Sequence, residues 1–176
     1  MTISLNEQAL PAGMTLSQQF CKDIAKLSNA EFRPSEVFLE LTRRLNRYYS
    51  ITRGALILKN GDHLTAVSTW RHGIGADGLG VNLPNNASLF EKVVEGGQTY
   101  SESFVGAFSG NFFERKLLLD ETTQAFVLQP LKVGGEVIGL IGFSSADPDA
   151  FALFEDGVLD EVADSLAARI VHHLSE

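Results

Sequence analysis

His63, His72, His172 and His173 are the only histidines of the chain and Cys21 its only cysteine, so any metal or redox chemistry would have to pass through them. His63 and His72 flank one strand-like segment and the other two lie near the C-terminus, which yields no set of donors at metal-ligand spacing. A lone cysteine excludes an intrachain disulfide, a thiolate cluster and a resolving-cysteine redox pair. The serines lie in no Gly-x-Ser-x-Gly elbow that would expose a nucleophile beside a base. No catalytic and no metal-binding residue is assigned.

Aromatic side chains give the stronger signal. Phe104, Phe108, Phe112 and Phe113 crowd one short segment, and Trp70, Arg71, His72, Phe90 and Tyr100 fall near the ends of neighbouring elements. Two readings stay open. In one, the aromatics wall an apolar cavity, with Arg71 or His72 recognising an anionic or hydrogen-bonding group of a small molecule. In the other, the same phenylalanines plug that space as ordinary core.

The elements that must position these residues follow from periodicity. Residues 1–14 read as a lead-in to a single domain over 15–175. Leu16, Phe20, Ile24 and Leu27 predict an amphipathic helix over 15–29. Pro34 followed by Val37, Phe38, Leu41 and Leu45 predicts a second, ending near Tyr49. The period then changes: 54–58 and 63–70 flank Asn60-Gly61-Asp62 and predict a β-hairpin. Residues 71–86 hold Gly73, Gly75, Gly78, Gly80 and Pro84 and predict a loop. A helix carrying Leu89, Phe90, Val93 and Val94 follows, stopped by Gly96-Gly97, then a brief strand over 98–101. Residues 104–120 read as a loop with a short helix. A hairpin over 124–133 and 136–145 turns at Gly134-Gly135, and a long helix over 153–174 ends the chain.

This order describes an α+β domain around one largely antiparallel sheet. Several strand segments are apolar at consecutive positions, so both faces need cover: the N- and C-terminal helices on one, the loop-rich middle of the chain on the other. Net charge is −8, which argues against nucleic acid or an anionic membrane surface as partner. The basic cluster Arg43, Arg44 and Arg47 sits where a helix end favours cations. No apolar run approaches the roughly 20 residues of a membrane span, and no secretory signal pattern precedes Lys22, so a cytoplasmic protein is expected.

The stretch LQPLKVGGEVIGLIGFSS at 128–145, followed by FALFED at 151–156 and a long helix, resembles the C-terminal half of GAF domains. The passage LFEKVVEGGQ at 89–98 is similar to the middle of that family. The resemblance covers about 15–174 and implies a GAF/PAS-like fold and a signal-transduction domain that binds an unidentified small molecule and signals through its terminal helices. A homodimer paired through those helices and an output-domain partner are expected; the alternative is a ligand-free structural dimerisation or protein-interaction module with a closed core. Cyclic-nucleotide-binding members carry an Asn-Lys pair where this chain has Ser144-Ser145, and here Phe151 is followed after three residues by Glu155-Asp156, inverted from their order. Bilin-attaching members use a cysteine; Cys21 reads as a buried thiol in the first helix. GAF-fold methionine sulfoxide reductases need several cysteines, so the chain is expected to be no enzyme.

Overall fold

The computed structural model describes residues 33–103, 108–153 and 158–174, together with residues 22 and 106. The lead-in, the helix predicted over 15–29, Cys21 and Phe104 lie outside the described residues.

Helix α1 (Pro34–Tyr49) opens with proline at its start and closes on Ser50 in the left-handed region. Strands β1 (Ile51–Asn60) and β2 (His63–Arg71) form the first predicted hairpin. Two three-residue strands follow, β3 (Ile74–Ala76) and β4 (Val81–Leu83). Helix α2 (Leu89–Gly96), strand β5 (Tyr100–Ser103) and helix α3 (Phe112–Leu118) lead to the second hairpin, β6 (Ala125–Val133) and β7 (Glu136–Ser145). A 3-10 turn at Ala150–Leu153 and helix α4 (Val158–Leu174) complete the fold. The strands make one antiparallel seven-stranded sheet in the order β3-β2-β1-β7-β6-β5, with β4 also paired to β2.

The sequence reading of 71–86 as a loop is corrected by β3 and β4, which add to the far side of β2. Such short strands need only three residue pairs each, and most of the glycines fall in the links between them. His72 and Gly73 form the two-residue turn that joins β2 to β3, both with positive φ (47° and 90°).

Both sheet faces are covered. On one, Val37, Phe38, Leu41 and Leu45 of α1 and Val162, Leu166 and Ile170 of α4 pack on Leu56, Trp70, Val127, Ile141 and Phe143. Phe38 and Phe143 stack there at 6.0 Å. On the other, Leu89, Phe90, Val93 and Val94 of α2 and Leu118 of α3 pack on Ala55, Ile57, Leu64, Phe126, Leu128 and Leu140. Each fully buried phenylalanine contributes roughly 2–3 kcal/mol through apolar burial. Val162, Leu166 and Ile170 of α4 are therefore consumed by the chain's own sheet. The basic cluster on α1 has a local explanation: Arg43 and Arg44 both pair with Glu40 within the helix.

Candidate functional site

A cleft of about 240 Å³ opens on the α2/α3 face of the sheet. Arg53 of β1 and Ala66, Thr69 and Arg71 of β2 form its floor; Leu79, Val81 and Leu83 form one wall, and Phe113, Lys116 and Leu117 of α3 the other. Strand pairing brings the floor together, because Arg53 lies directly opposite Arg71 and Ala55 opposite Thr69.

The α3 wall is a seven-residue helix, too short to hold itself in water. It is pinned at both ends. At the N-terminus Asn111 caps it, accepting from the Glu114 amide at 3.0 Å, while Glu114 reaches back to the Asn111 amide at 3.1 Å. The same Glu114 carboxylate, fully buried, accepts from the backbone amides of Leu89 (2.8 Å) and Phe90 (3.0 Å) at the start of α2 and from the Ser88 hydroxyl. Ser88 in turn caps α2 through the Glu91 amide. One carboxylate thus joins the two helix starts, where the backbone amides and macrodipoles favour negative charge.

At the other end of α3, buried Arg53 donates to the Lys116 carbonyl at 2.7 Å, one of the carbonyls a helix end leaves without an intrahelical partner. Its Nε also meets Asp120 Oδ2 at 3.2 Å, and His72 Nε2 meets the same oxygen at 2.9 Å. The Asp120 Oδ1 accepts from the Thr122 amide and hydroxyl and from the Thr123 hydroxyl. Burial alone would raise the Asp120 pKa; the hydrogen bonds from Thr122, His72 and Arg53 outweigh it and hold the carboxyl well below the usual carboxylate range.

That direction sets a pH dependence. A carboxyl depressed in the fold contributes stability that is complete above its unfolded value, about 3.9, and is lost as pH falls through the lower folded value. Replacing Asp120 by Asn is expected to cost about 1–3 kcal/mol at neutral pH. It should also flatten the loss of stability below about pH 4 relative to the parent protein. Urea unfolding at pH 7, 4 and 3 checks both; parallel pH profiles would show that Asp120 carries none of the acid sensitivity.

Of the residues put forward from sequence, Arg71 and Phe113 line this cleft. Trp70 does not: it packs on the α1/α4 side, because successive strand residues point to opposite faces. His72 is exposed in its turn and tied to Asp120. Phe112 is 64% exposed, with the Lys116 ammonium 5.2 Å from its ring centre. Phe90 is entirely buried core, and Tyr100 and Phe108 both pack against Phe126, so these three fill space in the core rather than line the cleft. Arg53, Lys116, Glu114 and Asp120 were missed. Asn111-x-x-Glu114 is a legible capping pattern, and Arg53 is a charge next to an apolar run; neither position reveals its distant partners.

Larger hollows have other characters, among them one of about 350 Å³ lined by Leu58, Lys59, Glu136, Ile138 and Ile170. One of about 660 Å³ lies beside α1, where Glu36, Glu40, Arg43 and Arg44 already pair with neighbouring charges. One of about 470 Å³ lies at the hairpin tips among Lys59, Asp62, Glu91, Glu95 and Glu136. Among the described residues no group of His, Cys, Asp or Glu is placed to hold a metal ion, and no helix is long and apolar enough to cross a membrane.

Neither a family profile nor a curated protein sequence matches the chain. Solved structures do match. The A. aeolicus nlh2 GAF domain in an inactive state aligns with a TM-score of 0.69 over 91% of this chain and 97% of that one, at 20% identity. The GAF domain of an Acinetobacter phosphoenolpyruvate-protein phosphotransferase aligns at 0.68 over 92% and 97%, at 13% identity. The chain has a GAF fold. A free methionine-R-sulfoxide reductase from Neisseria meningitidis, solved with its substrate, aligns at 0.67 over 95% of this chain and 98% of its own, at 15% identity. That neighbour overturns the expectation of a domain without enzymatic activity. Counting cysteines tested one thiol chemistry, whereas the GAF architecture itself carries catalysis in a protein of comparable likeness.

Proposed function

We propose that this GAF-fold chain is a regulatory, signal-transducing domain that binds a small molecule in the cleft between β2, β4 and α3. The observation that carries the reading is the construction of the α3 wall. A short helix is clamped at both ends by buried charged groups, Glu114 at one and Arg53 at the other, leaving Phe113, Lys116 and Leu117 on an open cleft. Rigid placement of that kind is what a binding site needs and a closed core does not. Solved neighbours that are GAF domains of larger proteins, such as the phosphotransferase, support a regulatory setting. Binding would act by favouring one arrangement of α3 and the strands it touches over another.

Native mass spectrometry of freshly purified protein, compared with its denatured mass, tests the reading. A retained adduct is expected, and it should disappear in Thr69→Trp, which places an indole in the cleft. An adduct that survives Thr69→Trp would put the ligand elsewhere. A bare mass together with no thermal shift across a metabolite panel would remove the reading.

A further inference from the structure

We infer that the cleft takes a small organic oxyanion, its carboxylate or phosphate head between the guanidinium groups of Arg53 and Arg71 and its short apolar body against Leu79, Leu83 and Leu117; this rests on the cleft being the ligand site. Arg53 and Arg71 face each other directly across β1 and β2, and both line the cleft. Like charges at directly opposed strand positions are destabilising unless something neutralises them. Protein groups do so only in part. The acid that meets Arg53 is Asp120, whose Oδ2 is shared with His72 and whose Oδ1 is taken by Thr122 and Thr123.

Arg53 uses Nε and Nη1, and its Nη2 has no acceptor among the described residues although the side chain is only 8% exposed. An arginine offers five N–H donors, so an open edge remains. The Arg71 side chain makes no hydrogen bond or ion pair among the described residues, and no acid lines the cleft. Lys116 adds a third cation at the rim. In a chain of net charge −8, this is a local excess of positive charge in a concave site, the arrangement that concentrates a small anion. Oxyanions are the ligands that a guanidinium fork fits. The apolar walls require a non-polar body, and about 240 Å³ lies below the range of sites for drug-sized molecules, so that body is short.

The test is a titration, followed by the methyl resonances of Leu79 and Leu117 and by thermal unfolding, with sodium benzoate, phenyl phosphate and the neutral isostere benzamide. The anions are expected to move both methyl sets and raise the melting temperature, and the better of the two identifies the head group; benzamide should do neither. Arg71→Gln should leave the unliganded melting temperature unchanged or raise it by up to about 3 °C, because it relieves the opposed charges. The same variant should weaken the anions about ten- to hundredfold, the worth of a charged hydrogen bond, with Arg71→Lys recovering part of the loss. Equal binding of benzamide and benzoate, or undiminished anion binding in Arg71→Gln, would overturn the oxyanion inference and leave the cleft reading standing. Methyls unmoved by all three probes would overturn the oxyanion inference, and the cleft reading would then be decided by the native mass and the metabolite panel.

Discussion

Glu114→Ala should destabilise the protein by about 3–5 kcal/mol, lowering the melting temperature by roughly 6–20 °C for a domain of this size. The wild-type carboxylate accepts from three backbone amides, those of Leu89, Phe90 and Asn111, and from the Ser88 hydroxyl, with no exposure to solvent. A buried donor stripped of its acceptor costs about 1–3 kcal/mol, and partial entry of water keeps the total below the simple sum. Glu114→Gln keeps the shape but turns an acceptor into a donor facing donors, so it should recover little. Hydrogen exchange gives the specific readout: protection of the Leu89, Phe90 and Asn111 amides should fall first. A cost under about 1 kcal/mol would show that the carboxylate does not hold the two helix starts together.

Gly139→Ala should be comparably severe, at about 3–5 kcal/mol or failure to fold, although it adds a single methyl group. Gly139 lies in β7, paired with Leu58 of β1 and Leu131 of β6. A Cβ there would sit 2.2 Å from the Ile57 carbonyl oxygen, and a backbone atom in the middle of a sheet cannot step aside without breaking the ladder. Gly142, three residues on, is the internal control. Its Cβ would crowd the side-chain tips of Leu118 and Leu128 at 3.0 Å, with the Val127 carbonyl oxygen at an ordinary 3.8 Å, so Gly142→Ala should cost about 1–2 kcal/mol through mild overpacking. Chemical denaturation of both variants tests the contrast; equal costs would mean that backbone contact is not what requires glycine at 139.

Element types were largely legible because their signals are local. Pro34 and the helical stripe mark α1, and Ser88 with Gly97 bounds α2. Gly134 and Gly135, both at positive φ, bend the second hairpin. The candidate site was legible only in fragments. Arg71 and Phe113 could be named because they sit near glycine-rich and aromatic segments, but Trp70, beside Arg71, was put forward for the same site and packs on the opposite face of the sheet. Strand residues alternate, and adjacency in sequence is the wrong guide to a shared surface.

By itself, then, the amino-acid sequence determined the α+β architecture and the need to cover both faces of the sheet, because periodicity and turn chemistry act over a few residues. Tertiary structure alone decided what the cleft contains. The opposition of Arg53 to Arg71 depends on the register of β1 against β2, and Val67, skipped where that register shifts, helps set it. Arg53 reaches Asp120 across 67 positions of sequence, and Glu114 reaches Leu89 across 25. Interactions at such separations are chosen by how the chain packs, and no local pattern of residue types encodes them.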